Sequence, residues 1–296
     1  MKLTLKSTGS TAAYVSWLKS FKDIRSSLLI EIDPQTQEFI AKSFPDNKCI
    51  VKYSALSFEN AGLEMSAIVD NNGEQFDWAN CNSETDKRIK VGLFEILNKV
   101  ISVEDMFDGT EHSMNFHFDL ANNITYIGSK DVNTEYVCTN IVLSSMSLTM
   151  DIKAAGTQIG ECFQKCDDET FLKRACNIGS PSVYSVSADT LLNLNKISSV
   201  FAVDDDDLIK FYSKEIDGHL ALYAFDERNS HYDYLLGYYE SGEQGKTSTI
   251  VKKSNFINAT KGLTEDKFMF TLDTAGASRV LVDAGNSKIV IAAEKK

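Results

Sequence analysis

A short amphipathic helix recurs four times in this chain, and this repetition constrains the architecture more than any single residue. Each copy is followed by an acidic turn and by two or three runs with the alternation of β-strands. The predicted helices are Tyr14–Arg25, Arg88–Ser102, Ala188–Phe201 and Lys252–Leu263. The first strands after them are predicted at Leu28–Asp33, Ser113–Asp119, Asp207–Lys214 and Lys267–Asp273.

Each helix has one apolar face that predicts which residues enter the core. The inward residues share the three- and four-residue spacing of a helix side. They are Tyr14, Trp17, Leu18, Phe21 and Ile24, then Ile89, Leu93, Ile96, Leu97 and Val100, then Leu191, Leu194, Ile197 and Phe201, and finally Phe256, Ala259 and Leu263. Asp217-Gly218 carries the signal of a tight hairpin turn.

The chain of 296 residues is long enough for two domains, and its 43% hydrophobic content is sufficient for sizeable cores. The stretch 153–181 is irregular and has no counterpart in the repeat, so we expect it to connect two halves. The predicted organisation is a domain at 1–152, a connection at 153–181 and a similar domain at 182–296. No run has the length of a membrane helix, and the sequence predicts a soluble intracellular protein.

Six cysteines are scattered along the chain, which is typical of a reducing compartment rather than of a disulfide scaffold. Cys162, Cys166 and Cys176 are clustered, and zinc is one interpretation of that cluster. No fourth Cys or His lies near them, so incidental or buried thiols are the alternative that we favour. The run Asp204–Asp207 is better explained as a solvated acidic turn than as a metal site.

Positive charge is concentrated in the helices although the whole chain has a net charge of −12. Windows 12–25, 87–102, 187–201 and 251–262 contain eleven basic and three acidic residues, or +8, which leaves −20 elsewhere. The basic residues are Lys19, Lys22, Arg25, Lys87, Arg88, Lys90, Lys99, Lys196, Lys252, Lys253 and Lys261. If the helices share a surface, it would attract nucleic-acid phosphates without reading sequence. The alternative is that lysine is simply a good helix former on solvated faces.

Catalytic motifs are absent from the sequence, which contains no phosphate-binding loop, no nucleophile elbow and no zinc-protease motif. The four histidines lie in or beside strand-like runs, and spacing identifies no acid–base pair. The sequence therefore predicts that the protein is not an enzyme and needs no cofactor.

The order of elements resembles the DNA polymerase sliding clamp family. One stretch that carries the resemblance is Val183–Phe225, VYSVSADTLLNLNKISSVFAVDDDDLIKFYSKEIDGHLALYAF, with a strand, a Ser-containing cap, a short helix, an acidic turn and a hairpin. The others are Phe256–Ala293, which ends RVLVDAGNSKIVIAA, and the early segment YVSWLKSFKDIRSSLLIEID. The long stretches Asn71–Asp86 and 153–181 depart from the family pattern, and the divergence leaves a viral or phage origin open.

The resemblance implies an α+β fold of two similar domains, each with two helices packed on curved antiparallel sheets. It also implies a homotrimeric ring around double-stranded DNA, with the helix lysines facing the channel. DNA polymerase and a clamp loader would be its partners, and Ala292, Ala293 and Glu294 would lie at a partner-binding tail. Two rival interpretations remain at this point. One is a duplicated β-rich structural protein, viral or cellular, and the other is an enzyme or metal protein that uses the cysteine cluster.

Overall fold

Contacts within the chain group its residues into two units. Unit 1 comprises Met1–Ser43 and Ser54–Asp167, and unit 2 comprises Phe44–Tyr53 and Asp168–Lys296. The predicted domain limits at 152 and 182 stay a prediction. The computed structural model describes residues 2–10, 12–24, 27–33, 36–43, 49–69, 74–75, 89–94, 114–120, 136–143, 148–153, 176–200, 208–226, 233–263, 265–276 and 279–294.

Unit 1 contains one described helix and two antiparallel sheets. Its elements are β1 (Lys2–Ser7), α1 (Ala12–Lys19), β2 (Ser27–Asp33), β3 (Glu38–Ser43), β4 (Ile50–Ser57), β5 (Leu63–Val69), β6 (Ile89–Phe94), β7 (Met114–Leu120), β8 (Tyr136–Leu143) and β9 (Leu148–Lys153). One sheet has the order β5-β1-β7-β8-β9, and the strands β4-β3-β2-β6 are also adjacent. The first four residues of β4 are grouped with unit 2.

The core of unit 1 forms around the predicted face of α1. Tyr14, Trp17, Leu18, Phe21 and Ile24 are all buried, as their helical spacing predicts. The ring of Phe39 from β3 lies 5.0 Å from that of Tyr14, and the Trp17 Nε1–H donates a hydrogen bond of 2.8 Å to Ser54 Oγ. A buried ion pair joins β2 to β3, with Lys42 Nζ 3.1 Å from Glu31 Oε1.

The second predicted helix is wrong where the structure describes it. Ile89–Phe94 is strand β6, which pairs with β2 and places Lys90 opposite Glu31. Ile89, Val91 and Leu93 alternate with other residues, so a strand period fits them as well as a helical one. The β-branched residues Ile89 and Val91 favour a strand, and Gly92 disfavours a helix. The remainder of that predicted helix lies outside the described residues.

Unit 2 contains two helices and a long run of antiparallel strands. Its elements are β10 (Pro181–Ser187), α2 (Ala188–Val200), β11 (Leu208–Ile216), β12 (His219–Asp226), β13 (Asp233–Gly242), β14 (Ser248–Lys252), α3 (Lys253–Thr260), β15 (Lys267–Asp273), β16 (Arg279–Asp283) and β17 (Ser287–Ala292). The strand order is β14-β11-β12-β13-β10-β15-β16-β17-β4. The predicted hairpin turn is confirmed, with Asp217 and Gly218 at φ of 50° and 78°.

The helices of unit 2 bury the faces that the sequence predicts. Leu191 and Leu194 of α2 and Phe256 and Ala259 of α3 are buried, and the rings of Phe256 and Phe211 lie 5.0 Å apart. Other predicted inward residues differ in outcome: Ile197 and Leu263 are half-buried, and Phe201 lies outside the described part of the chain. The helices therefore cover this sheet with their apolar sides.

Strand β13 changes its partner midway along its length. Residues 233–238 pair with β12, whereas residues 237–242 pair with β10. Gly237 lies at the change, where a Cβ atom would be only 1.8 Å from the Ser185 carbonyl oxygen. The missing side chain allows β13 and β10 to approach this closely.

Replacing Gly237 with alanine should destabilise unit 2 by about 3 kcal/mol, because a rigid backbone carbonyl occupies the position of the new methyl group. Gly179→Ala is the matched control, since a Cβ there meets nothing within 4 Å. Urea denaturation of the two variants and of the unchanged protein measures the difference. Equal midpoints for the two variants would contradict the close approach of β13 to β10.

Candidate nucleic-acid interface

Helices α2 and α3 are joined by a hydrogen bond beside their exposed lysines. The Asn195 side-chain amide donates to Thr260 Oγ1 at 3.3 Å, and the Thr260 hydroxyl donates in turn to the Phe256 carbonyl at 2.8 Å. Lys196 directly follows Asn195, and Lys261 directly follows Thr260. Both lysines are exposed. Two cations that are distant in sequence therefore flank one helix–helix contact in unit 2.

Local sequence signals fix where these helices begin and end. Ser187 caps α2, because its Oγ accepts a hydrogen bond of 3.2 Å from the Thr190 amide. This is the serine cap that the sequence predicts. After α3 the chain turns at Gly262, whose φ of 75° favours glycine at a helix end. The positions of Lys196 and Lys261 thus depend on short-range chemistry as well as on the Asn195–Thr260 bond.

In unit 1 the predicted helix 14–25 ends in tight turns. α1 stops at Lys19, and successive bonds from residue i to residue i−3 then continue to Ile24. Lys19 is half-buried and Lys22 is exposed. Unit 1 therefore presents Lys22 to solvent directly after α1.

The structure does not place every predicted DNA-binding residue on a helix surface. Lys253 is only 2% exposed, so its side chain lies inside unit 2 and is left out of the proposed interface. Lys252 ends strand β14 with an extended backbone, whereas Lys253 is the first residue of α3, so the two lysines do not lie on one helix face. Lys252 is half-buried, and Lys90 lies on strand β6 instead of a helix. Arg25, Lys87, Arg88 and Lys99 lie outside the described residues.

The predicted partner-binding tail is tied down by main-chain bonds within unit 2. The Ala292 amide donates to the Cys49 carbonyl at 2.8 Å, and the Glu294 amide donates to the Ile250 carbonyl at 2.8 Å. Ala292, Ala293 and Glu294 are all half-buried. The amides of Ala292 and Glu294 are therefore already used and are not available to a partner.

Cys176 is the member of the cysteine cluster that lies among the described residues, and its surroundings do not support the metal interpretation. Cys176 is half-buried against Ile178, Leu281 and Val290, and burial raises the pKa of its thiol. Such a thiol is less reactive than an exposed one. Cys162, Cys166 and Asp204–Asp207 lie outside the described residues. Among the residues that are described, no three His, Cys, Asp or Glu side chains cluster as metal ligands, and no helix could cross a membrane.

Lys52 is a buried cation that sequence reasoning missed. It lies on β4 on the same side as the buried Ile50, and its exposure is 0%. Burial lowers the pKa of Lys52 to about 7, although the charge of Glu265 opposes this shift. The alternation of β4 was the available signal, because it puts Lys52 on the apolar side of the strand.

The stability of unit 2 should rise with pH because of Lys52. Below pH 7 both the folded and the unfolded chain carry this proton. Between pH 7 and about 10 only the unfolded chain retains it, so the free energy of unfolding increases with pH. We expect a gain of about 2 kcal/mol from pH 7 to pH 9 that Lys52→Met removes. Urea denaturation at both pH values checks this, and parallel pH dependence of the two proteins would contradict it.

Comparison with known proteins identifies the architecture. No protein-family model and no curated protein matches the sequence. Solved structures do match. PCNA from Thermococcus kodakaraensis aligns at a TM-score of 0.60 and 10% identity, covering 99% of this chain and 100% of that one. A chain of the PCNA2-PCNA3 complex from Sulfolobus tokodaii aligns at 0.59 and 11%, covering 99% of both.

The chain has the sliding-clamp fold. A putative DNA polymerase III beta subunit from Eubacterium rectale aligns as well, at a TM-score of 0.58 and 11% identity. That alignment covers 100% of this chain and 66% of the bacterial one. The predicted fold class, an α+β clamp-like arrangement of helices on antiparallel sheets, is therefore confirmed.

Proposed function

We propose that this chain is a subunit of a ring-shaped DNA sliding clamp that encircles duplex DNA and tethers a replicative polymerase. Its role is mechanical, and the chain itself carries out no chemistry. A polymerase held in this way rebinds its template as an intramolecular event, which raises its effective concentration. A clamp loader is the second partner that this function implies.

The observation that carries the proposal is the joined pair α2 and α3 with Lys196 and Lys261 beside the contact. In a clamp fold this is the helix surface that faces DNA. Single ammonium groups contact phosphates through charge, with no base reading, and such contacts allow sliding. Exposed Asp189 on α2 keeps this surface only moderately positive, which favours transient contacts over a tight complex.

The internal repeat supports a head-to-tail ring. β17 ends its hairpin with β16 and also pairs with β4, whose first half belongs to unit 2. When the order of elements in unit 1 is compared with that in unit 2, β9 corresponds to β17, and β4 corresponds to the first half of β13. Within the described residues, β9 has only β8 as a neighbour, and residues 233–236 pair only with β12. We propose that β9 of one copy pairs with β13 of the next.

The two edges differ from each other, so the contact is heterologous and closes into a ring when the rotation per copy allows it. Three copies, each with two similar domains, complete the proposed ring. Native mass spectrometry should then find about three times the 32.9 kDa mass of the chain. A monomer or an open polymer would contradict the ring and favour the rival β-rich structural protein.

Encirclement is tested by DNA topology. The protein is first placed on a nicked circular plasmid, either by a clamp loader or by reassembly of the subunits in the presence of the plasmid. It should then co-elute with the circular DNA at high salt. Cutting the plasmid once should release it, because a ring can slide off a free end. Retention on linear DNA equal to that on the circle would contradict encirclement and indicate ordinary electrostatic binding.

A further inference from the structure

The sheet of unit 2 has a second face, opposite to its two helices. The ring of Phe211 in β11 packs 5.0 Å from that of Phe256 in α3, so the side chains of odd-numbered β11 residues point to the helices. Tyr212 therefore points the other way, and so does Tyr223, which lies directly opposite it on β12. The side of β11, β12 and β14 that carries these two tyrosines is called the outer face below.

Three aromatic residues occupy the outer face. The rings of Tyr212 and Tyr223 are stacked, with their centroids 5.6 Å apart and their planes inclined by 27°. Phe225 follows Tyr223 on the same side of β12, about 7 Å further along the strand. All three side chains are half-buried, so each ring is partly open to solvent. Together they offer planar apolar surface of the kind on which nucleic-acid bases stack.

A hydrogen bond holds Tyr212 in place. Its hydroxyl donates at 2.6 Å to the carboxylate of Asp233, which lies on β13 at the border of the outer face. Burial and this hydrogen bond raise the pKa of the Tyr212 phenol, so it stays neutral and adds no negative charge. The ring is thus ordered before any ligand binds, which reduces the entropy lost on binding.

Lysines accompany these rings, although the chain as a whole is acidic. The Lys214 Nζ atom lies 5.7 Å from the centroid of the Tyr223 ring, and Lys210 lies opposite Phe225. The register of β14 with β11 places Lys252 on the same side. Among the described residues of β11, β12 and β14, no Asp or Glu lies on this face. The outer face therefore combines aromatic rings with positive charge, which suits a strand of phosphates and unpaired bases.

We propose that the outer face of unit 2 binds single-stranded DNA without sequence preference. Bases stack on Tyr223 and Phe225, Tyr212 supports the Tyr223 ring, and Lys210 and Lys214 contact the phosphates. Every base has an aromatic face, so stacking of this kind tolerates any sequence. Duplex DNA cannot use the rings, because its bases are stacked on one another. This site is separate from the helix surface and does not depend on ring formation.

Removal of the bases from the ligand tests the stacking directly. A labelled 12-nucleotide oligo-dT and an abasic strand of the same length are titrated with the full-length protein by fluorescence anisotropy at low salt. We expect the abasic strand to bind at least tenfold more weakly, because it keeps the phosphates but cannot stack. An unlabelled 12-base-pair duplex should compete poorly for the same reason.

Variants of the outer face test which residues hold the strand. Tyr223→Ser should weaken oligo-dT binding about tenfold, whereas Tyr223→Phe, which keeps the ring, should retain the affinity. Replacing Lys210 and Lys214 together with alanine should lower the slope of log K against log salt by about 1.4, because two phosphate contacts to a single strand are lost. Tyr239→Ser is the matched control, since Tyr239 lies opposite the buried Tyr184, on the helix side of the same sheet.

Several results would overturn the proposal. Equal affinity for the abasic strand, or equal competition by the duplex, would show that charge alone accounts for binding. Oligo-dT binding that is lost with Lys196→Ala and Lys261→Ala but kept with Tyr223→Ser would place the strand at the helix surface. An equal loss with Tyr239→Ser would trace the effect to folding, and absence of binding would remove the site. Circular dichroism shows whether each variant is folded, and the abasic comparison decides the question without any variant.

Discussion

Replacing Leu235 with proline should prevent the proposed ring from forming and leave monomers. The odd-numbered residues of β12 hydrogen-bond to β11, so its even-numbered residues hydrogen-bond to β13. Ala224 of β12 therefore bonds to Tyr234 of β13. The amide of the next residue, Leu235, points away from β12 to the free edge. Proline removes this N–H, and its ring blocks an approaching strand. The ladder with β12 is retained, because proline is tolerated at a strand edge.

Leu235→Ala is the control for this prediction, since it shortens the same side chain but keeps the amide. Analytical ultracentrifugation should give a trimer for the alanine variant and a monomer for the proline variant at equal concentration. Circular dichroism and the urea midpoint show whether the proline variant remains folded. A folded proline variant that still forms trimers would show that β13 is not the subunit edge.

Elements with a single strong periodicity could be predicted from the sequence. The apolar face of α1 and the Ser187 cap of α2 each point to one local structure, and the fold confirms both. Residues 89–94 fit two periods at once, and pairing with β2 decides between them. Such tertiary choices override local propensity, which is why the second helix was assigned wrongly. Strand β9 was missed although Leu148, Met150 and Ile152 alternate with polar residues.

The candidate interface could be predicted only in part. Charge counting selects lysines by sequence window, but it cannot tell the exposed Lys261 from the buried Lys253. The Asn195–Thr260 bond joins residues 65 positions apart, and no local pattern announces it. The change of strand partner at Gly237 depends on how three strands meet, and no local pattern predicts it. These features belong to tertiary structure, where single-sequence reasoning has least information.

Removing Lys22, Lys196 and Lys261 together should weaken duplex binding by the assembled protein at least tenfold at low salt. Each phosphate contact that is lost also lowers the slope of log K against log salt by about 0.9, because fewer counterions are released. Because three lysines are replaced in each of the three proposed copies, both the affinity for duplex DNA and the salt slope should fall strongly. Fluorescence anisotropy with a labelled 30-base-pair duplex at several salt concentrations measures them, and polymerase stimulation should fall in parallel.

The control for this prediction removes the same charge from the sheet side of unit 2. Lys210, Lys214 and Lys246 lie on β11 and in the connection from β13 to β14, and their joint replacement by alanine makes the chain equally acidic. If net charge alone governs binding, the two triple variants should lose affinity equally. If the helix surface faces DNA, the control should retain its salt slope, because long-range repulsion is screened beyond about 10 Å at 0.1 M salt. Equal slopes for the two variants would therefore remove the helices from the DNA path.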